Sequence, residues 1–231
     1  MRILFVAADK MEFAGLLARA DAVQAPRLPV DWARQARLGP HAVLLAANGA
    51  GAARAAAAVD ACCDPFHPQA VVSTGFCGAL DPALTLAAVV VATRVCGAGG
   101  DYPAAPLSAA SAFHAGSVVS IGHIARTAQE KRVLRASGAC AVEMEAAGVA
   151  RQARARGLSF YCIRVVTDLA EETLQNDFNR ALRPDGHFAT ISILASALRR
   201  PLVRLPELVR LRGRCVTASH ALGSFLVTCK F

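Results

Sequence analysis

Short apolar runs alternate with stretches of helical spacing along this chain, and that alternation narrows the fold more than any other feature. Residues 2–8, 41–47, 69–73, 86–93, 117–121 and 160–166 read as strands with almost no polar face. A strand that is apolar on both faces is buried on both, the mark of a largely parallel sheet with helices on each side. Helical spacing marks 11–19, 52–60, 144–156 and 177–198, the last broken at 184–186, and a polar, basic surface helix over 125–137. The expected fold is therefore α/β: one three-layer domain with a mixed, mostly parallel central sheet flanked by helices. Residues 25–40, Pro-rich and holding the only tryptophan, Trp32, suit a hairpin or meander. Residues 96–116, rich in Gly, Pro and Ala, suit a mobile loop.

The chemistry-bearing residues stand where these apolar runs end. The run at 139–147, A-C-A-V-E-M-E-A-A, delivers Glu143 and Glu145 around Met144. The run at 160–166 delivers Arg164, followed by Thr167 and Asp168, in R-V-V-T-D. Acids at the ends of buried strands are costly to hold unless they are paired or used. Glu12 sits where the first strand hands over to a helix, the usual place for ligand groups in open α/β sheets; a plain first-turn acid is the simpler alternative. The turns N-G-A-G at 48–51 and S-T-G-F-C-G-A-L at 73–80 place glycines at strand tips, where a backbone can approach a ligand closely. The dinucleotide fingerprint is incomplete, lacking its third glycine and later acid, so a nucleotide cofactor is not expected.

Composition excludes several classes. With 55% hydrophobic and 18% charged residues, the chain can bury a large core and is not disordered. Its formal net charge of +8 is supplied mostly by arginine, without the interleaved aromatics that nucleic-acid stacking requires, so no nucleic-acid partner is expected. The eight cysteines form no C-x-x-C pair and no Cys/His cluster at metal spacing. They read as small buried apolar residues of a cytoplasmic protein, with no metal site. No apolar stretch is long and clean enough to cross a membrane. After Pro201 the chain turns basic and amphipathic. Residues 199–231 are expected to form a helical extension, a hairpin packed on the same domain or on a twin subunit. Contact with a lipid surface or a greasy substrate is the sharper alternative.

Five motifs in order, Glu12, N-G-A-G, S-T-G-F-C-G-A-L, V-E-M-E-A at 142–146 and R-V-V-T-D at 164–168, resemble the nucleoside phosphorylase and nucleosidase superfamily. The nearest look is to its methylthioadenosine/S-adenosylhomocysteine nucleosidases and to a compact branch associated with hopanoid biosynthesis. The likeness spans residues 1–198. It implies cleavage of the N-glycosidic bond of a purine nucleoside, with adenine as the base, no cofactor, and a homodimer. In that pattern Asp168 is the general acid protonating N7 of the leaving base, and Glu12 activates the attacking water. Glu145 holds the ribose hydroxyls and Met144 packs beneath the sugar. Thr167 and nearby main chain hold the ring, Gly75, Phe76, Cys77 and Gly78 line the site, and Glu143 and Ile124 complete the substrate-binding set. The cleavage passes through an oxocarbenium-like sugar, so a protonated leaving base and an anion beside the ribose both lower the barrier. Asp168 must then carry a proton near neutral pH while Glu12 stays ionised.

Departures from the pattern refine the reading. The phosphate-binding G-D-P-x-R turn of the phosphorylases is replaced by residues 8–11, A-D-K-M, and Ser73 and Phe76 stand at the other phosphate positions. Water is therefore favoured over phosphate, with Arg54 or Arg126 as alternative anion ligands. No aromatic residue near 122–124 offers to stack on the base. The segment 94–117 is shorter than in typical nucleosidases, which leaves the 5′ end open and suits a bulky apolar substituent such as that of adenosylhopane. Phosphorolysis is the alternative enzyme reading, and a non-catalytic nucleoside-binding protein the alternative class.

Overall fold

A computed structural model describes all residues, 1–231. The strands are β1 (Arg2–Ala7), β2 (Asp21–Gln24), β3 (Trp32–Leu38), β4 (His41–Ala47), β5 (Ala70–Ala79), β6 (Val89–Gly97), β7 (Gly100–Pro103), β8 (Ser108–Ala109), β9 (His114–Ser120), β10 (Ala139–Glu143), β11 (Ser159–Asp168) and β12 (Cys229–Lys230). The helices are α1 (Ala14–Leu17), α2 (Ala52–Phe66), α3 (Ala128–Arg135), α4 (Ala146–Ala155), α5 (Thr190–Ala197) and α6 (Pro201–Leu226). The main sheet runs β10-β9-β6-β11-β5-β1-β4-β3-β2, with β7 beside β6. Its centre, β4-β1-β5-β11, is parallel, and antiparallel pairs enter at β6–β11 and at the β2-β3-β4 meander. β10 also pairs antiparallel with the end of β5, so one half of the sheet curls towards closure.

Alternate residues of β1 divide between two cores, as a doubly covered strand requires. Leu4 and Val6 pack with α2 and α4 on one face, whereas Ile3, Phe5 and Ala7 pack with α1 and α6 on the other. The helices lie close because glycines let them. A Cβ on Gly148 would fall 1.9 Å from the Ala52 carbonyl oxygen, and one on Gly15 would fall 2.1 Å from that of Ser219. Ser219 also joins α6 to the first turn of the chain, accepting a hydrogen bond from the Gly15 N–H at 3.0 Å and donating to the Glu12 carbonyl at 3.3 Å.

Four local expectations change. Residues 96–116 hold ordered strands: β6 turns back through Gly97–Gly100 into β7, with Gly99 and Gly100 at positive φ, and β9 already begins at His114. The helical stretch at 177–198 shrinks to a 3-10 turn (Asn179–Ala181) and α5. The helix at 125–137 is not all surface, since Lys131 on it is fully buried. After Pro201, placed at the helix start where its missing N–H is not needed, the tail is one continuous 26-residue helix instead of a hairpin. Pro206 removes only one hydrogen bond near its beginning. No helix is long and apolar enough to cross a membrane.

Candidate active site

Arg164, in the middle of β11, has no exposed surface and sets the electrostatics of the site. Its guanidinium pairs with Glu143, approaches Glu145 Oε2 at 3.4 Å, donates to Ser73 Oγ at 2.6 Å and donates to the Thr74 carbonyl at 3.1 Å. Glu143 Oε2 also accepts from the Glu145 and Ala146 N–H groups at 2.9 and 2.8 Å, closing the first turn of α4, while its Oε1 is buried without a partner. Glu145, two residues on, points its other oxygen at Gly51, whose N–H donates at 3.0 Å. The N-G-A-G turn does bind an anion, and the anion is this carboxylate.

Glu12 is fixed by backbone. Asp9 caps the short turn Lys10–Phe13 by accepting from the Met11 N–H at 2.8 Å. Glu12 Oε2 accepts from Ala8 and Asp9 at 2.9 Å each, and Oε1 accepts from Phe76 at 2.7 Å. Gly75 makes this possible. A Cβ there would lie 2.2 Å from Glu12 Oε1 and 3.1 Å from Arg164, and its φ of +133° is one that other residues rarely adopt. Asp168 stands at the end of β11, past a register shift against β5. Thr167 Oγ1 donates to Asp168 Oδ1 at 3.2 Å, and Asp168 Oδ2 pairs with the buried Lys131 ammonium.

Burial raises the Glu12 and Asp168 carboxyls above their ordinary range, against the opposing pull of backbone N–H groups and Arg164 on Glu12 and of Lys131 on Asp168. Glu145 is pushed up to about 7, first by burial and then by its neighbours Glu143 and Glu12, with Arg164 opposing. Because its folded value lies above the carboxylate norm, the folded state binds more protons at mildly acidic pH. The stability this group contributes is present at low pH and fades as pH rises through about 7. Unfolding midpoints measured across that window should fall with rising pH, and Glu145→Gln should flatten the slope.

One cavity of about 450 Å³ joins these groups, a size suited to a small-molecule ligand. Glu12, Glu143, Met144, Glu145, Thr167 and Asp168 line it with Phe76, Cys77, Gly78 and Ile124. Gly75 stands behind Glu12 and not on the wall. The main chain of Ile124 is already engaged, since Asn179 accepts its N–H at 2.8 Å and donates to its carbonyl at 3.0 Å. Arg54 is held by Asp31 at 2.8 Å and by the Asn48 carbonyl at 2.6 Å, and neither it nor Arg126 lines the cavity. No residue of 94–117 reaches the cavity either.

Of the remaining wall, only the basic, apolar tail was legible in the sequence, as a stretch suited to a greasy substrate. Leu174, Phe178, Phe188 and Ile193 join Leu208, Leu211, Arg212 and Cys215 of α6 to form an apolar side with one cation. Phe178 and Phe188 meet edge to face at 6.5 Å, so aromatic rings do reach the cavity, from a segment far from 122–124. Lys131 was also missed. Its signal was a lone lysine on the row Ala128, Lys131, Leu134, where Ala128 and Leu134 are half-buried.

The family model described as the phosphorylase superfamily matches residues 2–116 and 107–186. Among solved structures, the S-adenosylhomocysteine nucleosidase of Streptococcus pyogenes, in complex with 5-methylthiotubericidin, shares 21% identity at a TM-score of 0.67, covering 92% of this chain and 96% of that one. A 5′-methylthioadenosine/S-adenosylhomocysteine nucleosidase of Helicobacter pylori, with butyl-thio-DADMe-Immucillin-A, gives 16% and 0.73, covering 98% and 96%. The futalosine hydrolase of Helicobacter pylori gives 15% and 0.72, covering 98% and 95%. No curated protein sequence matches the chain.

Proposed function

The chain belongs to the phosphorylase superfamily, and from that premise we propose that it hydrolyses the N-glycosidic bond of an adenine nucleoside carrying a bulky apolar 5′ substituent. The observation that carries this reading is the convergence of Glu12, Glu145 and Asp168, from far-apart points of the chain, on one cavity. Asp168 protonates N7 of the leaving base, with Thr167 orienting its carboxyl. Glu145 accepts from the ribose hydroxyls and Met144 packs under the ring. Glu12, aimed by three backbone N–H groups, takes a proton from the attacking water; burial that lifts its carboxyl makes it a stronger base nearer neutral pH. Glu12, Glu143 and Glu145 outnumber the single Arg164 among them, so the site favours the cationic sugar of the transition state. The same excess of carboxylates at the nucleophile end disfavours phosphate there and supports water.

The apolar wall of Phe178, Phe188, Ile193, Leu208 and Leu211 supports the substituent. The nucleosidase relatives were solved with thioether-bearing nucleoside analogues, butyl-thio among them. A chain of the adenosylhopane kind extends the same principle. The test is base release from adenosine and from 5′-alkylthioadenosines of increasing length, with and without phosphate. The expected kcat/KM rises by up to about fourfold per buried methylene and is unchanged by phosphate. Adenine released only with phosphate would instead establish phosphorolysis, and a rate falling with chain length would rule out the apolar 5′ site.

A further inference from the structure

Lys131 lies behind the proposed general acid, and the reaction drawn above leaves it without a task. Its side chain has no exposed surface, and its Nζ donates to Asp168 Oδ2 and, at 2.7 Å, to the Leu169 carbonyl. α3 is built to hold it there. Thr127 caps the helix by accepting from the Glu130 N–H at 3.1 Å, Glu130 accepts from Arg126 at 3.0 Å, and Thr173 accepts from Ala128 at 3.0 Å. A buried lysine is costly, and a buried ion pair contributes little net stability compared with apolar residues of the same size. Taken alone, the pair opposes the chemistry: an ammonium beside Asp168 favours the carboxylate, whereas an acid must carry a proton. The conflict disappears once the pair is counted as one unit, because ammonium with carboxylate holds as many protons as amine with carboxylic acid.

We propose that Lys131 is the positioning residue that stores the proton Asp168 delivers to the leaving base. This rests on the hydrolytic reading above. One Lys131 N–H bond breaks as an O–H bond forms on Asp168, and that proton passes to N7. The glycosidic C–N bond breaks with its electron pair going to the base. Lysine is left as a neutral amine, and the proton lost by the attacking water balances the cycle when it returns to it. The other ionisable groups around the pair do not replace this store. Glu172 is bound to Arg214 at 2.7 Å, and Glu130 to His123 at 2.5 Å. Burial pushes the Cys77 thiol well up and the Cys215 thiol up to about 12. Glu12 and Glu145 line the same cavity and are tied to backbone N–H groups.

Lys131→Met and Lys131→Arg separate this from a merely structural role. In the Met variant the proton sits on Asp168 alone. Burial without the cation lifts its carboxyl further, so activity persists at acidic pH and is lost as pH rises. The alkaline limb of kcat/KM is expected to move at least about one unit below that of the wild type. In the Arg variant the ion pair survives but the guanidinium cannot give up its proton, so kcat falls about 10²-fold with KM unchanged. A Met profile parallel to the wild type, or an Arg variant with wild-type kcat, overturns the proposal. Infrared difference spectra of wild type against Asp168→Asn give a readout that needs no turnover. The Asp168 carboxylate band is expected in the wild type at neutral pH and absent from Lys131→Met; its persistence there overturns the pairing even if no nucleoside proves to be a substrate.

Discussion

Asp168→Asn is expected to lower kcat for purine release by about 10³-fold while the protein still folds. The amide keeps the shape of the carboxyl and still offers Lys131 an oxygen, but it has no acidic proton to give N7. Base release followed by chromatography, with circular dichroism as the control for folding, checks this. A variant with full activity would remove Asp168 from the role of acid. KM should change much less than kcat, because the group acts on the leaving base and not on the sugar or its 5′ chain.

Arg164→Met is expected to have the largest effect on stability. Its guanidinium is the cation that Glu143, Glu145 and Glu12 face, and it also holds Ser73 Oγ and the Thr74 carbonyl. Without it, carboxylates with almost no solvent access lose their partner, a change that costs about 3–5 kcal/mol. That is a large share of the roughly 5–15 kcal/mol by which a domain is stable. Urea unfolding should show the midpoint collapse, or the chain should fail to accumulate in folded form. Lys in its place rescues only part, since one ammonium cannot span Glu143, Ser73 and Thr74 together. A Met variant within about 1 kcal/mol of the wild type would show that the cluster is not held by this residue.

The strands and the acids were legible in the sequence for the same reason. An apolar run that ends in Glu or Asp has to explain that acid, and Glu143, Glu145 and Asp168 all sit at such ends. Glu12 was legible through its place after β1 and its match to the family pattern, and the sequence could not show that Gly75 makes room for it. The rest of the site was hidden because it lies in segments whose local pattern says little. Phe178 and Phe188 are brought together by a bridge between Leu182 and Phe188 within an irregular stretch. Lys131 was masked by Gln129, Glu130, Arg132 and Arg135, which make α3 read as surface. The tail looked like two helices because its charge pattern changes midway, whereas hydrogen bonding continues through the change to Leu226.

In the proposed reaction three acids surround one sugar–base linkage. The direct test is a structure of the protein with an adenine nucleoside analogue whose base is joined through carbon and cannot be released. N7 should lie within about 2.6–3.2 Å of an Asp168 oxygen, the ribose hydroxyls should face Glu145, and the anomeric carbon should be open to a water held by Glu12. A base bound away from Asp168, or a sugar that lies outside the reach of both glutamates, would contradict it.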